Sequence, residues 1–185
     1  MTRLAVVLSS VRPNRAGGAV AQWVVDQASA VEGVEVDLVD LAELNLPVFA
    51  EAAPPAMAAP TDPAGAAFNE RIKAADAIIF VTPEYNWSIP GALKNAIDFL
   101  EPVALAHKGV GIVSYSSTGG VRPAEALRVI LANFQASVAR RQIGLNMKTD
   151  FENFSTFVPT PAREAEVPAL VADVVASSQA LASLR

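Results

Sequence analysis

Short apolar runs alternate with amphipathic segments along most of the chain. Runs without internal alternation are typical of strands buried on both faces, and residues 3–8 are a clear case. The pattern predicts five strands, at residues 3–8, 34–39, 77–81, 109–114 and 138–143. Arg140 and Arg141 weaken the apolar character of the last one.

Between the strands, apolar residues recur at the spacing of one helix face. We predict helices at about residues 19–30, before residue 75, after residue 90, around residues 127–134, and from near Pro168 onwards. Ser88 is a plausible N-cap for the third of these helices. Residues 50–65 are rich in Ala and Pro without either period, so we expect a long loop there.

This order of elements is a β-α unit repeated five times. It predicts an α/β fold in which a doubly wound parallel sheet of order 2-1-3-4-5 carries helices on both faces. The length of 185 residues suits one domain, so we assign residues 1–185 to a single unit. In this order the loops after strands 1 and 3 meet at the switch point, where ligands bind.

Composition excludes several kinds of function. The net charge of −5 and pI near 4.9 disfavour general binding to nucleic acid or to anionic membranes, and we expect neither as a partner. The chain has no cysteine and a single histidine, His107, so a metal site and a Ser-His-Asp hydrolase both fit poorly. No apolar run is long enough for a signal peptide or a bilayer span, and we expect a cytoplasmic protein.

The loop after strand 1 has the composition of an anion site. Ser10 offers a hydroxyl, Arg12 and Arg15 offer planar guanidinium groups, and Gly17 lets the backbone approach a ligand closely. The helix that follows adds the positive end of its dipole. Taken alone, the loop is equally compatible with a solvated basic turn.

The loops after strands 3 and 4 offer a different surface. Pro83, Glu84, Tyr85 and Asn86 combine stiff backbone, an aromatic face and free amides, which suits the edge of a flat heterocycle. The alternative is a rigid turn whose aromatics pack on a neighbour. The hydroxyls and glycines of the third loop would close over the same ligand, or simply form a polar connector; they are Ser116, Ser117, Gly119 and Gly120. Phosphate at one end and a flat polar ring at the other describe FMN.

The run from Pro83 to Asp98, PEYNWSIPGALKNAID, resembles the signature of the NADPH-dependent FMN reductase family of flavodoxin-like proteins. The resemblance extends from strand 1 to the last helix, and Ser10, Arg12 and Arg15 match the family's phosphate loop. Two positions depart from it: Ser9 stands where glycine is usual, and Trp87 occupies a variable position.

The resemblance implies an enzyme that passes hydride from NADPH or NADH through bound FMN to a small-molecule electron acceptor. The acceptor would be free flavin, a quinone, an azo compound or a metal oxyanion. The family's cofactor contacts carry over to the loop residues named above except Gly17, and no side chain is obliged to act as a catalytic acid or base. An FMN-binding electron carrier, or a redox-responsive interaction protein with little turnover, is the alternative.

Family members are commonly dimers or dimers of dimers, so we expect a homodimer or homotetramer. The apolar character of residues 92–103 also favours an interface there. Finally, Asn86-Trp87-Ser88 and Asn153-Phe154-Ser155 match the N-glycosylation pattern, and without a secretory signal we interpret both matches as chance.

Overall fold

A parallel sheet of order β2-β1-β3-β4-β5 forms the centre of the molecule, in a computed structural model that describes residues 1–185. Three later short strands complete the region: β6 also pairs with β4, and β7 and β8 form a separate hairpin. The predicted fold class and strand order are confirmed. The strands are β1 (Thr2–Leu8), β2 (Val34–Asp40), β3 (Ala77–Pro83), β4 (Gly109–Ser116), β5 (Ser137–Val138), β6 (Ile143–Asn146), β7 (Phe151–Glu152) and β8 (Thr156–Phe157).

Helices cover both faces of the sheet, because each strand presents apolar side chains in both directions. The core under α3, α4 and α5 includes Phe68, Leu93 and Leu127, and the core under α1 and α6 includes Val20 and Val174. No helix combines the length and apolar character needed to cross a bilayer. The helices are α1 (Gly17–Ser29), α2 (Leu41–Leu44), α3 (Pro63–Ala74), α4 (Gly91–Asp98), α5 (Val121–Ala132) and α6 (Glu166–Ala180).

The switch point lies between β1 and β3. After β1 the chain winds to β2 on one side, and it later returns to β3 on the other side. Ser9, the first residue of the loop after β1, is hydrogen-bonded to β3. The Ser9 amide donates to the carbonyl of Val81 at 3.1 Å, and the Ser9 hydroxyl donates to the same oxygen. The side chain that replaces the family's usual glycine therefore bonds into the sheet.

The predicted continuous fifth strand at residues 138–143 is wrong. Ser137 and Val138 pair with the start of β4, and pairing resumes only at Ile143. Between these two pairings, two residues of β4 lie opposite the four residues 139–142. The fifth strand is therefore interrupted by a bulge. Arg128 donates to the carbonyls of Ala139 (2.8 Å) and Arg140 (3.2 Å), which gives the bulged backbone hydrogen-bond partners that a ladder would otherwise supply.

The start of α4 also differs from the prediction. Pro90 is the N-cap residue, and no side chain caps the helix. Ser88 instead pairs with Tyr85 across a tight turn. The predicted N-cap role of Ser88 is therefore wrong, because its backbone is committed to the turn.

The apolar residues of the segment 92–103 serve the chain's own core. Leu93, Ala96, Ile97 and Leu100 are buried, while Val103 is 61% exposed. The apolar surplus that favoured an interface at this segment is therefore absent in the folded chain, and a homodimer or homotetramer stays a prediction.

Candidate cofactor site

A cavity of about 660 Å³ opens at the carboxyl edge of the sheet, at the switch point. A cavity of this size accommodates a cofactor or drug-sized ligand. It is bounded by the loops after β1, β3 and β4, by the start of α5, and by the β7–β8 hairpin. The lining residues are Ser10, Arg12, Asn14, Arg15, Ala16, Pro83, Glu84, Tyr85, Asn86, Trp87, Tyr115, Ser116, Ser117, Arg122, Met147, Phe154 and Ser155.

One end of the cavity is rich in unused hydrogen-bond donors. The backbone amides of residues 10–12 and 14–16 donate no hydrogen bond within the chain, and this loop leads directly into the N-terminus of α1. The guanidinium of Arg12 is exposed and has neither a hydrogen bond nor an ion pair within the chain. Free amides, a helix N-terminus and an unpaired cation together form an anion-binding end.

Arg15 lines the same end, but its guanidinium already has partners within the chain. Its guanidinium is paired with the carboxylate of Asp40 at the end of β2, and it also donates to the carbonyl of Ser10 at 2.7 Å. Asp40 in turn accepts the amide of Ala42 at 2.9 Å. The charge of Arg15 is therefore largely balanced within the protein, and its contacts hold the loop in position.

Gly17 does not line the cavity, and its small size serves a different purpose. A Cβ atom at this position would lie 2.4 Å from the hydroxyl oxygen of Tyr115, so only glycine leaves room for that phenol. Burial, with a smaller contribution from Tyr85, raises the pKa of Tyr115, and the hydroxyl stays protonated at neutral pH. Tyr115 thus packs the end of β4 against the start of α1 beneath the cavity.

The loop after β3 is a two-residue hairpin turn. Tyr85 and Ser88 exchange both backbone hydrogen bonds, at 2.9 and 3.0 Å, and Asn86 and Trp87 between them have φ values of 48° and 71°. Positive φ at both central residues is the requirement of a type I′ turn. The amide of Glu84 is also used, since it donates to the carbonyl of Tyr115 at 3.1 Å. Of the amides expected to face a ligand, only that of Asn86 donates no hydrogen bond within the chain. The amide of Trp87, the next residue, is also free.

A side-chain hydrogen bond connects the two loops that meet at the switch point. The hydroxyls of Ser10 and Tyr85 lie 2.8 Å apart. The guanidinium carbon of Arg12 lies 5.9 Å from the centre of the Tyr85 ring, within reach of a cation–π contact. Tyr85 thus joins the anion-binding end of the cavity to the end that carries the free amides of Asn86 and Trp87.

Arg122, in the first turn of α5, is a site residue that the sequence reasoning missed. Its guanidinium pairs with the carboxylate of Glu84 and lies 4.1 Å from the centre of the Trp87 ring. The position of Arg122 just after the glycines of the third loop was the available signal. The contact fixes an exposed indole at the mouth of the cavity.

The third loop is held mainly by its own hydrogen bonds. The hydroxyl of Ser116 accepts the amides of Thr118 (3.0 Å) and Gly120 (2.8 Å). Gly119 and Gly120 have φ values of 85° and 69°, and neither lines the cavity. These glycines shape the turn, while Ser116 and Ser117 border the cavity.

The structure brings most of the predicted site residues together. Gly17, Gly119 and Gly120 lie behind the cavity wall. Lining residues that were not among the predicted contacts are, besides Arg122, Asn14, Ala16, Trp87, Tyr115, Met147, Phe154 and Ser155. The predicted residues that line the cavity are Ser10, Arg12, Arg15, Pro83, Glu84, Tyr85, Asn86, Ser116 and Ser117.

The sheet order and the cavity at its switch point define a flavodoxin-like α/β protein. Residues 2–150 match the family described as NADPH-dependent FMN reductase. The chain therefore belongs to the NADPH-dependent FMN reductase family. The family drawn from the sequence is confirmed, but the match ends at residue 150 and does not extend to the last helix.

Individual relatives agree with this assignment, and a solved structure shares the fold. The NAD(P)H-dependent FMN reductase ntnL of a Nectria species is 37% identical over 128 residues, which cover 66% of this chain and 63% of the relative. A quinone reductase of Escherichia coli is 39% identical over 85 residues, or 40% of this chain and 43% of the relative. The flavoenzyme FerB, an NAD(P)H:acceptor oxidoreductase from Paracoccus denitrificans, has a similar fold, with a TM-score of 0.73 at 20% identity over 96% of this chain and 99% of FerB. The chain thus spans less than two thirds of the length of these two sequence relatives.

Proposed function

We propose that the protein is an FMN-dependent NAD(P)H oxidoreductase that delivers electrons to a small acceptor. The observation that carries the proposal is that hydrogen-bond donors without a partner in the chain lie at both ends of one cavity. Residues 10–16 present free amides and the unpaired Arg12 at one end, and Asn86 and Trp87 present free amides at the other.

These residues fit the shape and charge of FMN. The phosphate would bind the amides of residues 10–16 and the guanidinium of Arg12, at the N-terminus of α1. The polar edge of the flavin ring would accept from Asn86 and Trp87, with Tyr85 between the two ends. Ser116 and Ser117 would border the ring from the end of β4.

When bound, FMN supplies two-electron chemistry: hydride is taken from NAD(P)H and passed on, with protons exchanged with solvent. The chain's own contribution is to bind and orient. Glu84 is the acidic side chain of the cavity, and its carboxylate is neutralised by Arg122 and bonded to the hydroxyl of Thr118 at 3.3 Å. We therefore assign no catalytic acid or base.

A steady-state assay tests the proposal. FMN-loaded protein should oxidise NADPH or NADH with a quinone or free flavin as acceptor, at a rate of at least about 1 s⁻¹, the low end for ordinary enzymes. A variant that carries Arg12→Ala, which removes the unpaired cation from the phosphate end of the cavity, should lose this activity unless FMN is in large excess. Tight FMN binding without turnover of either nicotinamide would contradict the proposal.

That contradicting result would favour the second candidate, an FMN-binding electron carrier or redox-responsive interaction protein. The exposed indole of Trp87 at the mouth of the cavity is the observation that favours it, since an exposed aromatic also suits a protein partner. A homodimer or homotetramer and a cytoplasmic location remain part of the proposal, and light scattering at micromolar concentration tests the assembly.

A further inference from the structure

Two tripeptides of this chain repeat the same sequence pattern and the same backbone shape. Asn86-Trp87-Ser88 follows β3, and Asn153-Phe154-Ser155 connects β7 to β8. The φ values are 48° and 71° in the first and 50° and 56° in the second. In each turn the serine amide donates to the carbonyl three residues earlier, at 3.0 and 3.1 Å. Both have the positive φ pair of a type I′ turn.

The aromatic residue in each turn occupies a position where turn chemistry favours glycine. Asn followed by Gly is the preferred pair for this turn, and a bulky residue at positive φ is a true outlier. Strained backbone of this kind persists at functional sites, where the side chain it presents has a use. Two outliers of one type, each with an aromatic ring, need a common explanation.

Both rings border the cavity described above. Trp87 is 74% exposed and Phe154 is 57% exposed, and both line its wall. Large apolar side chains that stay exposed on a cavity wall mark a surface for ligand contact. The two turns therefore present aromatic faces to a single space.

The ring of Trp87 is held by a direct contact, whereas Phe154 lies in the turn of a packed hairpin. Trp87 stacks under Arg122, which is itself paired with Glu84. Phe154 sits on a hairpin whose other aromatics pack inward: the ring of Phe151 lies 5.1 Å from that of Phe157 and 6.0 Å from that of Tyr115. Rigid presentation lowers the entropy cost of closing on a ligand.

The base of the hairpin is fixed by an ion pair. The carboxylate of Asp150, 2% exposed, accepts two bonds of 3.0 Å from Arg163 and one of 2.8 Å from the amide of Asn146. The family match ends at residue 150, so the hairpin that carries Phe154 lies beyond it.

We propose that Trp87 and Phe154 form an aromatic clamp that binds the planar ring of the electron acceptor, of the quinone class. The inference rests on the proposed function and names its acceptor. Apolar ring faces favour a flat aromatic ligand, and the cation beside them, Arg122, is neutralised by Glu84, which disfavours a metal oxyanion at this place. The overall reaction is NAD(P)H + H⁺ + quinone → NAD(P)⁺ + hydroquinone, in which the quinone gains two electrons and two protons.

The test measures binding of a water-soluble naphthoquinone to oxidised, FMN-loaded protein by calorimetry, with no NAD(P)H present. Phe154→Asn and Trp87→Asn remove the rings but keep the turns, because asparagine adopts positive φ readily. Each should raise the Kd for the quinone about 5- to 30-fold, the scale of one aromatic stacking contact. In steady state the change should fall on the KM for the quinone rather than on kcat.

Two matched variants serve as controls. Phe154→Tyr keeps the ring and should retain quinone affinity within about twofold, which is under 0.5 kcal/mol. Val129→Asn removes an exposed apolar side chain from α5, away from the cavity, and should change neither affinity nor turnover.

Three results would overturn the clamp: no measurable quinone binding to the wild-type protein, unchanged quinone Kd in both Asn variants, or a parallel loss of FMN affinity in Phe154→Asn. The last result would place Phe154 over the cofactor instead. A protein that binds FMN and quinone as described but oxidises no NAD(P)H would refute the proposed function while leaving the clamp intact.

Discussion

At the scale of single residues, two arginines of one loop have separate roles. Arg12 is exposed and free of partners, whereas Arg15 is paired with Asp40 and bonded to the backbone of Ser10. The sequence places both in the same basic stretch and offers no means to tell them apart. The difference arises because β2 brings Asp40 beside only one of them.

Substitution of Arg12 by alanine should act on the ligand rather than on the fold. A charge-assisted hydrogen bond contributes about 1.5–3 kcal/mol, so the FMN affinity should fall roughly 10- to 100-fold. The free energy of unfolding should change by less than about 0.5 kcal/mol. Fluorescence titration and urea denaturation measure the two effects, with Arg140→Ala as an exposed control outside the cavity. An equal loss of riboflavin affinity in Arg12→Ala would speak against a phosphate contact.

Arg15→Ala should instead act mainly on the free energy of unfolding. It leaves the buried carboxylate of Asp40 without its cation, and an unpaired, mostly buried charge costs about 2–3 kcal/mol of stability. Urea denaturation of the apo protein measures this loss. In the double variant Arg15→Ala/Asp40→Asn, part of the stability should return; no recovery would mean that the pair is not the cause.

At the scale of elements, the β7–β8 hairpin depends on one buried ion pair. Asp150→Asn keeps the shape of the side chain but removes the charge that faces Arg163, which should cost about 3 kcal/mol. Hydrogen exchange should become faster in residues 146–158 before other regions change. Asp173→Asn, which loosens the exposed pair with Arg141, should cost less than about 1 kcal/mol. Equal effects of the two substitutions would contradict the anchoring role.

The end of α3 carries a pH-dependent contribution from Lys108. Its ammonium group donates to the carbonyls of Ile72 (2.9 Å) and Lys73 (2.8 Å), and burial, with help from the charge of Arg185, lowers its pKa to about 8. Between about pH 8 and 10.5 the unfolded chain therefore binds more protons at this residue than the folded protein does. The contribution of Lys108 to the free energy of unfolding should therefore rise with pH in that window.

A comparison with Lys108→Met isolates this effect, because the other titrating groups are common to both proteins. The difference in unfolding free energy, wild type minus variant, should grow by up to about 3 kcal/mol between pH 7.5 and 10. A difference that stays constant or shrinks over this range would contradict the lowered pKa of Lys108 in the folded protein.

At the scale of the whole molecule, the fold follows from periodicity that the sequence displays openly. β1, β3 and β4 are buried along nearly their whole length, as expected for the central strands of a parallel sheet with helices on both faces. The fifth strand was misjudged because Arg128, on a helix, supplies partners to the bulge at residues 139–142. Arg140 and Arg141 are a local sign that the strand is weakened, but the sequence does not show that Arg128 bonds to this segment.

The site was predictable to the extent that it is built from loops next to strand ends. Ser10, Arg12, Tyr85 and Asn86 were found on this basis. Arg122 and Phe154 were not, because their contribution depends on where α5 and the hairpin are placed relative to β3. The glycines were found but misread: Gly17 makes room for Tyr115.

The most direct test of the account is an equilibrium titration of the wild-type apo protein with FMN and with riboflavin, followed by fluorescence. We expect one FMN per chain and a preference of at least about 10-fold for FMN, because the free amides of residues 10–16 and the guanidinium of Arg12 would bind the phosphate that riboflavin lacks. Equal affinity for the two ligands, or no binding of FMN at micromolar concentration, would contradict it.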